Sequence, residues 1–266
     1  MTSNSFSGNT ASESVRLFPL GFTLLAAESG VFRTWLHAQS LREVSDLIVG
    51  HALGAACVFE ISPLTLDPAT REVRGVEDVA KDAGVRLVPL DADAWRMATP
   101  DLPRLLDVLE HFNLQFLDVP PTSTPDEAYR AVLASAECRG PSSPPALHFA
   151  PRSRLFFASH DDCYLYLETR ERRHALAHFA RLLQEFVAAR VGVESRRVAP
   201  PSDEFLESLI AATGSCTMFD AHATLEGSVL RLGHHDLRYR LGDRALTPEA
   251  WVRYDLAERC WSRERR

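Results

Sequence analysis

The stretch from Arg154 to Gly192 constrains the fold more tightly than any other, because its hydrophobic period changes once and at a readable place. Leu155, Phe156, Phe157 and Ala158 form a short apolar run, Ser159 to Asp162 supply turn-forming side chains, and Cys163 to Glu168 alternate apolar and polar residues. Such alternation marks a half-buried strand, whose successive side chains point to opposite faces. Cys163, Leu165 and Leu167 are expected on one face and Tyr164, Tyr166 and Glu168 on the other. From Thr169 the period becomes helical: Leu176, Phe179, Leu183, Phe186 and Val187 share one stripe, and Gly192 is placed to stop the helix. The arginines Arg172, Arg173, Arg181 and Arg190 lie mostly off that stripe and read as a solvated face. A strand, turn, strand, helix unit is therefore predicted.

The same reading carried along the chain divides it into five parts. Residues 1–14 are Ser-rich and aperiodic and are expected to be a disordered leader. Residues 15–138 form an N-terminal α/β half, with strands over 22–26, 31–36, 56–61, 85–90 and 114–117. Its helices begin at the S-x-x-E box of Ser40 and Glu43, at Val76, after Thr99-Pro100-Asp101, and at the T-x-x-E box of Thr124 and Glu127. Residues 139–150, with Gly140-Pro141 and Pro144-Pro145, concentrate chain breakers and read as a linker. Residues 151–262 form a C-terminal α+β half. There Ser202 caps a helix, strands follow over 216–225, 228–232 and 237–241, and Gly233-His234-His235-Asp236 reads as a hairpin turn. Thr247-Pro248-Glu249 is predicted to open a closing helix carrying Trp251, Val252, Tyr254, Leu256 and Cys260, and residues 263–266 a charged, frayed tail. The predicted class is α+β (mixed α/β), two sheet-containing halves built on strand, turn, strand, helix units. Residues 22–49 and 155–183 share that order and each puts an aromatic in the second strand (Trp35, Tyr166), which raises a ββα duplication against coincidence of a common motif.

Composition narrows the partners. The net charge of −7 argues against a sequence-independent grip on nucleic acid, which needs clustered basic groups to release phosphate counterions. Residues 1–150 hold 11 basic and 19 acidic side chains, residues 151–266 hold 18 and 17, so the acidity sits in the first half. Lys81 is the one lysine among 29 basic residues, a bias that suggests a GC-rich bacterial genome. Five cysteines (Cys57, Cys138, Cys163, Cys216, Cys260), widely spaced and without a C-x-x-C pair, favour free thiols in a reducing, cytoplasmic setting. No run reaches the roughly 18 apolar residues of a membrane span, so no membrane partner is expected.

Phosphate-loop, dinucleotide, zinc-protease, nucleophile-elbow and EF-hand spacings are absent from the sequence. What remains is three close pairs in the second half: His160 with Asp162, Asp220 with His222, and His234 with Asp236. Imidazole and carboxylate suit a divalent transition metal or a tautomer-fixing acid/base pair. The competing reading is that His160 to Asp162 and His234 to Asp236 are turn residues chosen for conformation. Cys163 could be a thiol activated by His160, but its strand face favours a buried, inert one. Trp35, Tyr164 and Tyr166 are candidates for a partner-binding aromatic surface, against cover by helices.

The functional expectation is a non-catalytic cytoplasmic bacterial factor that binds another protein, accessory or immunity-type, with the acidic first half suited to a basic partner surface. No cofactor is expected on this reading. The alternative is a metal-dependent, hydrolase-like enzyme using a divalent metal on the His/Asp pairs, and a third class is a small-molecule sensor.

Overall fold

A computed structural model describes residues 21–26, 30–37, 54–61, 64–66, 70–109, 114–135, 155–159, 164–211, 214–235, 248 and 250–265. The leader, the helix expected from Ser40, the 139–150 linker, the turn containing His160, Asp162 and Cys163, the 237–241 strand and Asp236 lie outside the described residues.

The chain is α+β, with an antiparallel sheet as its frame. Its strands are β1 (Gly21–Ala26), β2 (Phe32–His37), β3 (Ala56–Glu60), β6 (Val88–Asp91), β7 (Ala94–Ala98), β8 (Leu114–Asp118), β9 (Leu155–Ser159), β10 (Tyr164–Thr169), β11 (Ser215–Glu226), β12 (Val229–His235), β13 (Ala250–Asp255) and β14 (Cys260–Arg265). Their order is β14-β13-β12-β11-β1-β2-β10-β9-β8-β3-β7-β6, and a separate hairpin pairs β4 (Leu64–Leu66) with β5 (Val73–Gly75). Strands from before and after the proline-rich segment share one sheet. The β1–β2 hairpin sits between β11 and β10, and β8 continues the sheet from β9. The hairpins β1–β2 and β9–β10 lie side by side, second strand against second strand, with Trp35 the register partner of Tyr166.

Helices pack on both faces of this sheet. They are α1 (Val76–Asp82), α2 (Leu102–Val108), α3 (Pro125–Ser135), α4 (Arg172–Val191) and α5 (Asp203–Ile210). α4 packs on β1, β2 and β10, and α5 on β11 and β1. Its predicted stripe is buried as expected: Leu176, Phe179, Leu183, Phe186 and Val187 join Leu24, Leu36, Leu167, Cys216 and Met218 of the sheet in the main core. Gly192, at φ +68°, closes α4 in the left-handed conformation that a Cβ disfavours, and its N–H reaches the Ala189 carbonyl. Ser202 caps α5 by accepting a hydrogen bond from the Phe205 amide at 3.2 Å. On the opposite face α3 covers the β8-β3-β7 end, where Tyr129 and Val132 pack with Val58, Ala94 and Leu117. The Thr124 box forms: the Thr124 amide donates to Glu127 at 2.9 Å and the Glu127 amide to Thr124 Oγ1 at 3.2 Å.

Several expectations are corrected. The closing helix is the β13–β14 hairpin, because Ala250, Val252 and Tyr254 alternate inward against half-exposed Trp251, Arg253 and Asp255. Residues 263–265, expected in the tail, end β14, and their charges blunt an outer strand that could otherwise pair with another chain. Gly233, His234 and His235 are not a turn but the end of β12. The strand expected from Val85 begins at Val88, and β4, β5 and β7 were not anticipated.

Leu24→Ala, which opens a cavity where β1 meets α4 and α5, is expected to lower stability by about 3 kcal/mol. Thr124→Ala, which removes one capping bond at the surface, is expected to lower it by about 1 kcal/mol. Urea unfolding midpoints at constant slope measure both.

Candidate functional site

Antiparallel register puts directly opposed residues on the same face of a sheet. Following the partners from β12 gives one row: His235 opposes Thr217, Thr217 opposes Thr23, and Thr23 opposes Trp35. This row lies on the face away from α4 and α5. Three strand spacings separate its ends, about 14 Å. Thr23 and Thr217 are buried between larger neighbours and share a hydroxyl hydrogen bond of 3.0 Å. Trp35, in the middle of the sheet, is 46% exposed. Beside it on the same face Arg33 Nε donates to its cross-strand partner Glu168 at 2.6 Å, burying that carboxylate against a guanidinium.

At the other end of the row a β-bulge brings two imidazoles together. Register is regular at Thr217 opposite His235 and at Met218 opposite His234, then resumes at Ala223 opposite Leu232, so residues 219–222 of β11 face Gly233 alone. The extra backbone bends β11 over β12 and re-aims His222. Its Nδ1 lies 2.8 Å from His235 Nε2, with ring centroids 4.8 Å apart. Glycine is required at 233: a Cβ there would stand 2.6 Å from Pro248 Cγ and 2.9 Å from His222 Cβ. Burial, with the neighbouring His222 and His234 adding to it, pushes the His235 imidazole down from 6.5 to about 4. His235 is therefore neutral at pH 7, and the contact is a hydrogen bond in which one ring donates and the other accepts. An imidazole with so low a pKa is a weak base, poorly matched to proton abstraction near neutrality.

The residues singled out from sequence are distributed as follows. Trp35 and His222 belong to this face. His234 alternates to the other side of β12, continuing the buried stripe of Leu230 and Leu232, so it does not join His235. Tyr164 and Tyr166 occupy β10, and Asp220 the bulged stretch of β11, while His160, Asp162 and Asp236 fall outside the described residues. Among the described residues no three His, Cys, Asp or Glu side chains gather to hold a metal ion. His235 lies in a segment that reads as a turn from sequence; the alternation of the 228–232 strand, carried three residues further, reaches it. Of the cysteines, Cys57 and Cys216 are buried free thiols, Cys57 pushed up to about 12 and Cys216 also up, in both cases chiefly by burial, and Cys260 is exposed. Comparison with protein families, with curated proteins and with solved structures finds no match.

Two outcomes test this geometry. Folding excludes a proton from His235 that the unfolded imidazole binds below pH 6.5, so stability is full above that pH and falls as pH drops toward about 4. The loss through this window is expected to be roughly 2 kcal/mol, discounted because His222 is partly reached by water. It should shrink in His235→Gln, as read by denaturation at pH 4.5 and 7. Gly233→Ala is expected to cost about 1–3 kcal/mol by overpacking against Pro248 and to shift the imidazole proton resonances of His222 and His235.

Proposed function

We propose that this chain is a non-catalytic, cytoplasmic bacterial factor, accessory or immunity-type, that binds another protein through the open sheet face centred on Trp35. The observation that carries the reading is the half-exposed Trp35 in a central strand, on the face opposite the packing helices. Tryptophan offers a large rigid contact area with little conformational entropy to lose, which is why it anchors interfaces. The sheet around it is stiffened by the Thr23–Thr217 and Arg33–Glu168 bonds. A basic partner surface fits the acidic balance of residues 1–150. Buried free thiols support a reducing compartment. The reading extends to the two hairpins as copies of one ββα unit, for which the support is their side-by-side placement and the Trp35–Tyr166 register.

Photo-crosslinking from position 35 in the source cell identifies the partner, and the purified pair then gives an affinity. Trp35→Ala is expected to weaken binding by about 2 kcal/mol, near thirtyfold, while leaving the unfolding midpoint close to that of the parent chain. Equal affinity of the two forms would refute the reading.

A metal-dependent, hydrolase-like enzyme is the second reading, favoured by the approach of His222 to His235. Stoichiometric zinc, manganese or iron in the purified chain, lost on His222→Ala, would move the assignment there.

A further inference from the structure

On the helical side of β13 and β14, away from the Trp35 row, an open hollow of about 550 Å³ is lined by Arg196, Arg197 and Arg259. Two of these guanidinium groups come from a 3-10 turn (Ser195–Arg197) and the third from the turn joining β13 to β14. Among the described residues the lining is all arginine, with the carboxylates of Glu194, Asp255 and Glu258 in the same two turns. Arg196 directs its Nε to Glu194, leaving its terminal nitrogens available. Among the described residues the side chains of Arg197 and Arg259 make no hydrogen bond or ion pair, while the Arg197 amide donates to the Glu194 carbonyl at 2.9 Å within the turn.

The two arginine-bearing turns are held in fixed relation from beneath. Gln184, buried on α4, donates to the carbonyls of Ser195 at 3.0 Å and Val198 at 2.7 Å, clamping both ends of the 3-10 turn. The next residue, Ala199, has both backbone polar groups gripped by the hairpin: its amide donates to Tyr254 Oη at 2.9 Å, and Trp261 Nε1 donates to its carbonyl at 2.6 Å. Tyr254 and Trp261 also pack against each other, their rings tilted by 52° with centroids 4.8 Å apart. In the second turn Asp255 Oδ1 accepts from the amides of Ala257 and Glu258, and Arg259 follows at φ +53°. That left-handed position favours glycine. Arginine is held there against its backbone preference, and such strain gathers where a side chain has a task.

We propose that this hollow is a binding site for a small phosphate-bearing anion. Guanidinium forks match phosphate oxygens in pairs, the two turns that carry them are held in fixed relation, and the volume falls within the range of small-ligand sites. The site is separate from the protein-binding face, and either can fail without the other.

Calorimetric titration of the full chain with inorganic phosphate, pyrophosphate and ADP at about 150 mM salt tests it. Saturable one-to-one binding of pyrophosphate is expected. ADP binding as tightly would point to a phosphorylated organic ligand, and phosphate or pyrophosphate binding more tightly would point to the free inorganic anion. Arg197→Gln is expected to weaken binding at least about tenfold, the loss of one charge-assisted contact. Arg259→Gly is expected to weaken it similarly while raising the thermal midpoint of the unliganded chain, because glycine relieves the left-handed strain. Arg173→Gln, on the first turn of α4, should leave binding unchanged. Absence of saturable binding to all three probes, or equal weakening by Arg173→Gln, overturns the proposal.

Discussion

The structure depends on the β1–β2 hairpin being seated between β11 and β10. Every other pairing in the sheet lies either within β11 to β14 or within the run β10-β9-β8-β3-β7-β6. Only β1 and β2 connect the two sets. Without them the edges of β11 and β10 would each expose a row of unpaired amides and carbonyls, and α4 and α5 would lose the apolar floor of Leu24 and Leu36. The hairpin is thus bound by ladder hydrogen bonds at both edges and by helix packing on one face. Trp35 stands half-exposed on its other surface.

The two faces of the central strands are specialised by different interactions. The helical face is closed by area: Leu24, Leu36, Leu167, Cys216 and Met218 meet the buried stripe of α4 and α5. The open face is closed, where it is closed, by pairing. The threonine hydroxyls hydrogen-bond to each other, Glu168 is ion-paired with Arg33, and at the β12 to β14 end Arg231 and Arg253 both reach Glu264, at 3.3 and 2.8 Å. Such pairs contribute little stability at a surface, but they fix side-chain directions. A face built this way stays rigid around the half-exposed ring of Trp35.

What could be read in the sequence was what is decided within a few residues. The α4 stripe, its stop at Gly192, the Ser202 cap and the Thr124–Glu127 box all stand because each signal is satisfied by its own neighbours. The rest depends on partners distant in the chain. β7 was invisible because it is covered on both sides, Ala94 in one core and Trp95 and Met97 in the other, which removes the alternation that betrays a strand. β13 has the alternation, but the Thr-Pro-Glu before it imitates a helix start. Pro248 serves another purpose, filling the space that Gly233 leaves empty. The approach of His222 to His235 depends on how many residues β11 inserts opposite Gly233, a register fact that no local pattern carries.

The bulge and the glycine are one device. Extra residues in β11 must go somewhere, and over a side chain at 233 they would be lifted away from β12. With glycine there, His222 drops to within van der Waals reach of the strand and closes over His235, while Pro248 seals the other side. The burial that results is what holds His235 neutral, since an imidazolium in that position would face desolvation and two adjacent imidazoles at once. The bulge therefore converts a sheet surface that strand geometry alone would leave wet into a covered hydrogen-bonded pair. It anchors one end of the row whose other end is Trp35, and the intervening Thr23–Thr217 bond passes that rigidity across β1 and β11.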